Sequence, residues 1–140
     1  MGCPYCELLR KQNDDGTYIT KLKYGVLYLH RSQLFRGRCI YVLNRHIEDF
    51  TELKNRDFSA FNIELLGIAR ALKIILHPSL INVAILGNKI RHLHWHLIPR
   101  YKEDPNWGNP PWPSKNKILT RDQYVNLSQL IRETLREVTK

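Results

Sequence analysis

Apolar residues recur at spacings of three and four through Phe61, Leu65, Ile68, Ala69, Leu72 and Ile75. This pattern predicts one long amphipathic helix, opened by Asp57-Phe58-Ser59. It is expected to end near His77-Pro78, because proline disfavours helix at the residue before it. A second helical pattern starts at Thr120-Arg121-Asp122-Gln123, a capping-box arrangement. It carries Tyr124, Leu127, Leu130, Ile131 and Leu135 on one face. The other apolar runs are short and strand-like. Residues 18–30 predict two strands separated by Gly25, and Cys39 to Leu43 predicts a buried strand. Asn82 to Leu86 and Leu93 to Pro99 predict two more, with Gly87-Asn88 turning the chain between them. Asn13-Asp14-Asp15-Gly16 reads as a turn, and residues 1–10 as a short N-terminal element. The proline-rich stretch 102–117, with Trp107 and Trp112, reads as a long loop. The sum is an α+β fold. It has an antiparallel sheet of about five strands, one long central helix and a C-terminal helix. A single domain is expected over 1–140, with a core over 1–101 and a loop and helix over 102–140.

Composition narrows the class. The chain has 140 residues, 43% hydrophobic and 25% charged, as an ordinary globular domain has. No apolar run approaches the ~20 residues of a membrane helix, and the N-terminus has no apolar signal core. A cytoplasmic chain with no membrane partner is therefore expected. The net charge of +9 favours a polyanionic partner. The cations are scattered, so a field that draws in phosphates is expected rather than a nucleic-acid tract. Nucleic acid remains the less favoured partner, because no aromatic-glycine RNA-binding motif occurs. Arg36-Gly37-Arg38 reads equally as a phosphate-steering group and as solvated turn charge. Three cysteines do not make a disulfide framework. Cys3 and Cys6 have the Cys-x-x-Cys spacing of metal or redox chemistry, and Cys39 reads as a small buried residue.

The most informative stretch is His92-Leu93-His94-Trp95-His96-Leu97-Ile98-Pro99-Arg100. Side chains on a strand alternate between faces. The three histidines therefore share one face, and Leu93, Trp95 and Leu97 share the other, facing a core. Histidine titrates near neutral pH and serves as nucleophile, acid or donor. The residues alone leave three readings: a covalent nucleophile with helpers, a catalytic zinc site, or a solvated polar face. Trp95, on the apolar side, reads as core.

His-φ-His-φ-His-φ-φ, with φ apolar, resembles the histidine triad (HIT) signature. The order Cys-x-x-Cys, Arg45-His46-Ile47, Asn82, Gly87-Asn88 and then the triad is similar to the zinc-containing bacterial branch. Residues 1–101 carry the resemblance. It implies a nucleotide hydrolase or nucleotidyl transferase acting at the α-phosphate of dinucleoside polyphosphates or nucleoside monophosphate derivatives. His94 would be the nucleophile, forming a nucleotidyl-histidine intermediate, and His96 a donor to the phosphate. Asn82 and the Gly87-Asn88 turn would lie on the substrate side. Lys89 stands where many members have serine, and would neutralise phosphate charge without a hydroxyl. Arg100 would touch phosphate or hold the tail. The aspartate that grips ribose in many members has no counterpart, and His30, Arg31, Gln33 and Asn44 are its nearest substitutes.

The resemblance also implies that Cys3, Cys6, His46 and His92 bind a structural zinc, since four protein ligands leave no place for water. A homodimer joined through its sheets is expected as well. The alternative is a nucleotide- or nucleic-acid-binding module with little turnover, using the same pocket.

Overall fold

The computed structural model describes residues 2–11 and 15–140. Half of the expected Asn13-to-Gly16 turn, Asn13 and Asp14, thus lies outside the described residues. The elements run α1 (Pro4–Arg10), β1 (Tyr18–Lys21), β2 (Gly25–Leu29), β3 (Cys39–Leu43), a short 3-10 turn, α2 (Asn55–Leu76), β4 (Leu80–Ala84), β5 (His94–Arg100) and α3 (Arg121–Val138). The five strands form one antiparallel sheet in the order β1-β2-β3-β5-β4. The predicted α+β class with five strands, a long helix and a C-terminal helix is what forms.

Several boundaries differ from the sequence pattern, β5 by a single residue at each end. Helix α2 begins at Asn55, ahead of the predicted Asp57, because its N-cap is Lys54, which makes no side-chain cap bond to signal the start. It ends as predicted, with His77 in the left-handed conformation at φ 48°. Strand β4 lies two residues earlier than predicted, since its pairing with β5 runs from Leu80↔Arg100 to Ala84↔His96 and stops there. Gly25 opens β2 rather than separating the two strands. A Cβ there would stand 2.6 Å from both the Tyr41 ring and the Val42 carbonyl.

Both long helices cover one face of the sheet. Phe61, Leu65, Ile68 and Leu72 of α2 share a core with Leu27, Tyr41, Leu93, Trp95 and Leu97. The Phe61 and Trp95 rings lie 5.0 Å apart. Helix α3 starts in the predicted capping box, Thr120 with Gln123, and adds Tyr124, Leu127, Ile131 and Leu135 to that core. Leu130, expected on the same face, is exposed instead. Each fully buried aliphatic or aromatic side chain here contributes roughly 1.5–3 kcal/mol. This layer holds β3 and β5 rigid from behind.

The opposite face is only partly covered. Val26, Tyr28 and Val42 pack there against Tyr5, Leu8 and Leu9 of α1. The register Ile40↔His96 and Val42↔His94 places the histidines beside this apolar strip. A short helix thus sits over a sheet face that carries imidazoles.

Candidate active site

The alternation read from the sequence sorts the triad strand into two faces. Leu93, Trp95 and Leu97 enter the core, while the histidine rings meet Tyr5 and one another on the other side. All three histidines are buried, yet their hydrogen bonds give them different tasks.

His94 Nδ1 lies 2.7 Å from the His92 carbonyl oxygen. A carbonyl only accepts, so Nδ1 carries the proton and Nε2 keeps its lone pair. Burial lowers the His94 pKa below the ordinary histidine value, against the opposing pull of that backbone bond. The ring is therefore neutral at neutral pH.

His96 has the other tautomer. Its Nδ1 lies 3.4 Å from Arg38 Nη2, and a guanidinium only donates, so the proton sits on Nε2. Among the described residues, Arg38 Nε alone is a buried side-chain polar atom without a partner. Among the described residues the Nε2 atoms of His94 and His96 have no hydrogen-bond partner, and neither is fully enclosed, so both reach open space. The rings stand 5.2 Å apart. A lone pair and an N–H donor are thus presented side by side, an arrangement suited to a phosphoryl group.

Burial first, and then the charge of Arg38 with His94 and His30, pushes the His96 pKa down to about 3. The unfolded chain takes up a proton at this residue below about pH 6.5, and the folded protein does not. Its contribution to stability is therefore full above pH 6.5 and falls steadily as pH drops toward 3, at up to about 1.4 kcal/mol per pH unit. Urea unfolding at pH 7 and pH 5 checks this. The native protein should lose about 1–2 kcal/mol more over that range than His96→Asn. Parallel losses would contradict it.

His92 turns toward another set of groups. Its Nε2 donates to the Leu43 carbonyl at 2.8 Å, which leaves Nδ1 unprotonated, 3.3 Å from Cys3 Sγ and 3.5 Å from Cys6 Sγ. His46 is arranged the same way, with Nε2 3.3 Å from Glu48 Oε1 and Nδ1 3.4 Å from Cys6 Sγ. Cys3 caps α1 and accepts the Cys6 backbone N–H. Burial pushes the Cys3 thiol up, but hydrogen bonds from Cys6 and His46 outweigh it and leave the pKa lowered.

The four ligand atoms all lie within 4.8 Å of one another. A tetrahedral zinc with ordinary Zn–S and Zn–N bonds would separate S and N by about 3.5 Å. The donor set therefore fits zinc in composition and spacing. Both histidines also have the oxygen partner on the far ring nitrogen that zinc-binding histidines commonly have. His94 and His96 are not in this cluster, which counts against a zinc held by the whole triad.

The remaining expected residues scatter. Gly87 has φ +90°, a conformation open to glycine, and with exposed Asn88 forms part of the β4–β5 connection. Lys89 lines a hollow beside Cys3, Cys6, His46 and Arg91, on the side of the cysteine cluster. Of the two roles expected of Arg100, phosphate contact and a hold on the tail, its contacts are of the second kind. It is 1% exposed, and its guanidinium donates to Asp104, Asn82 and Asn106 side chains and to the Asn106 and Asn109 carbonyls. Every arm is occupied, so Arg100 anchors the loop after β5. Asn82 is half-buried, accepts from Arg100, and lines a hollow of about 470 Å³ with Ala84, Ile98, Trp107 and Trp112.

Of the ribose substitutes, Gln33 is consumed by His30, Gly37 and Arg38 backbone bonds, and Asn44 donates to the Lys23 carbonyl. A smaller hollow, about 170 Å³, opens over β2 and β3 between Tyr5, Asp15, Tyr28, Ile40 and Val42. Three residues at the site had no decisive sequence signal: Tyr5, whose ring is 4.7 Å from His94, and Arg38 with Trp112 beside His96. Only the Cys-x-x-Cys motif next to Tyr5 hinted at its position.

The HIT domain profile matches residues 11–103, about two thirds of the chain. The chain belongs to the HIT domain family. The fold of this HIT domain is similar to a crystal structure of a histidine triad protein from Sinorhizobium meliloti. The TM-score is 0.80 at 29% identity, covering 91% of this chain and 93% of that one. A Zn-bound histidine triad family protein from Mycobacterium smegmatis has the same fold, with TM-score 0.75 at 21% identity over 99% and 96% of the two chains. An AP-4-A phosphorylase of Mycobacterium tuberculosis is 28% identical over 115 residues, which are 74% of this HIT domain chain and 56% of that enzyme. Among the described residues, no helix of this HIT domain is long and apolar enough to cross a membrane.

Proposed function

We propose that this HIT protein is a nucleotide hydrolase or nucleotidyl transferase acting at the α-phosphorus of dinucleoside polyphosphates or nucleoside monophosphate derivatives. The observation that carries the reading is the His92 carbonyl bound to His94 Nδ1 at 2.7 Å. It leaves a neutral imidazole with its Nε2 lone pair at open space. In the first step Nε2 bonds to the α-phosphorus and the bond to the remaining phosphate chain breaks. In the second step water or inorganic phosphate displaces His94 from the nucleotidyl group. A covalent intermediate divides one difficult displacement into two easier ones. His96 Nε2–H donates to the phosphoryl oxygens as charge develops there, commonly the largest catalytic contribution. The likeness to an AP-4-A phosphorylase supports a dinucleotide substrate.

The proposed seat of one nucleoside is the hollow of Tyr5, Tyr28, Ile40 and Val42, which Asp15 also lines. The hollow of Trp107 and Trp112 lies on the other side of His96, over β4 and β5. Two hollows flanking one nucleophile suit a substrate with a nucleoside at each end. Asn82 borders the second hollow, which supports its substrate-side role; for Gly87 and Asn88, in the connection between β4 and the triad, that role rests on the family likeness. Lys89 lies on the side of the cysteine cluster instead, and Arg100 acts through the loop it holds.

Zinc bound by Cys3, Cys6, His46 and His92 would supply a fixed cross-link and no reactive water, because its four positions are filled. Its ligands tie α1 to the start of β5, which sets Tyr5 against His94.

The homodimer reading is supported by unfinished surface. Edge strand β4 exposes Leu80 and Val83, with Leu86 just beyond it, and the neighbouring α2 exposes Ile63, Leu66 and Ile74. An unpaired edge with apolar neighbours invites a two-fold partner. Sedimentation should give twice the 16.6 kDa chain mass, and Val83→Lys should reduce it to one chain. A native monomer at micromolar concentration would contradict this.

The chemistry is tested by incubating the protein with diadenosine tri- and tetraphosphate, with and without inorganic phosphate. Nucleoside monophosphate formed in water indicates a hydrolase. Nucleoside diphosphate formed only with added phosphate indicates a phosphorylase. Tight binding of these nucleotides with no product under either condition would favour the sensing module and sink the enzymatic reading.

A further inference from the structure

Two buried arginines in this protein are treated in opposite ways. Arg100 has a carboxylate, Asp104, at 2.9 Å and further oxygen acceptors around it. Arg38 is 2% exposed and, among the described residues, forms no ion pair with any carboxylate. Its guanidinium lies 4.6 Å from the centre of the Trp112 ring, its Nη2 contacts His96 Nδ1, and its Nε has no partner. Burial is severe enough to lower even this guanidinium to about 10. Leaving a buried cation without an anion costs several kcal/mol. A purely structural arginine would gain by having an acid beside it, as Arg100 does. An acid beside Arg38 would also compete for the Nη2 donor that reaches His96.

We propose that Arg38 is a positioning residue for this site, holding His96 as the Nε2–H tautomer with Trp112 as the clamp. The inference rests on the reading of His96 as the phosphate donor. Neutral imidazole has one N–H, and either nitrogen can carry it. His94 is fixed by a backbone carbonyl, which makes its Nε2 an acceptor. His96 needs the reverse polarity two residues along the same strand. Only a group that donates and never accepts can enforce it at Nδ1, and arginine is such a group. The Trp112 ring is 4.9 Å from His96 as well as stacked on Arg38, so one indole restrains both partners. The opposed tautomers of the two imidazoles then follow from two different protein contacts.

The test is 15N NMR of histidine-labelled protein, with His96 assigned by comparison with His96→Asn, alongside steady-state kinetics on a diadenosine polyphosphate. The native protein should show His96 as a neutral Nε2–H ring from pH 5 to 8. Arg38→Met should give a mixture of tautomers, with His96 titrating closer to the ordinary value. It should lower kcat by about 10–100-fold with a smaller change in KM. Arg38→Lys, which keeps a donor without an acceptor, should recover much of the native tautomer. If Arg38→Met does not fold, the native spectrum and Arg38→Lys still decide. A native Nδ1–H tautomer, or unchanged His96 shifts and turnover in Arg38→Met, would overturn the proposal. A native protein with the expected His96 tautomer but no turnover would remove the enzymatic reading and leave the hold of Arg38 on His96 standing.

Discussion

His94→Ala should fold normally and lose turnover by at least about 10³-fold on any dinucleoside polyphosphate the native protein cleaves. The loss is large because the proposed intermediate has no other nucleophile. His96 lies next to it, but its Nδ1 is taken by Arg38 and its Nε2 carries the proton, so it presents no lone pair to phosphorus. His92 is turned to the cysteines. Stability should change little, since among the described residues the ring's one hydrogen bond goes to the carbonyl of His92. Substrate affinity should survive, because the hollows on both sides do not depend on this side chain. Kinetics with an equilibrium binding measurement on the same variant check both halves. Near-native turnover would remove His94 from the mechanism.

The second large effect is expected from the metal cluster. Purified protein should carry about one zinc per chain, and Cys6→Ser or prolonged chelation should lower the melting temperature by on the order of 10 °C. Helix α1 has no fully buried residue of its own, and a zinc on Cys3 and Cys6 would fix its first turn. Without that cross-link, among the described residues, the apolar contacts of Tyr5, Leu8 and Leu9 would be left to hold it to the sheet. Tyr5 would then leave His94, and His92 would lose two of its partners. Activity should decline along with the unfolding of α1 rather than at once, because a zinc held by four protein ligands would have no open position for water. Elemental analysis with thermal unfolding before and after chelation checks this. Metal-free protein of full stability would contradict it.

The parts legible in the sequence were those set by local periodicity. Period-two alternation around Trp95 identified which side of β5 faces the core, and the three-four spacing from Phe61 to Ile75 identified α2. The Cys-x-x-Cys spacing flagged a metal set, and the family resemblance supplied its partners in His46 and His92. What stayed hidden depends on contacts between distant segments or on loop backbone. Arg38 reaches His96 across 58 positions, through the pairing of β3 with β5, so its neighbours in sequence could not distinguish it from the exposed Arg36. The tautomer of His94 depends on where the His92 carbonyl points. For Arg100 the sequence left phosphate contact and a hold on the tail both open. Its acceptors come from the folded path of residues 104–109, which no periodicity encodes.

The most direct measurement is mass spectrometry of native protein quenched during turnover of diadenosine tetraphosphate, followed by peptide mapping. A neutral, acceptor-only Nε2 on β5 predicts an acid-labile nucleotidyl group on the peptide containing His94, assigned to that residue and absent from His94→Ala. Turnover with the adduct on another residue, or with intact His94→Ala activity, would contradict the account.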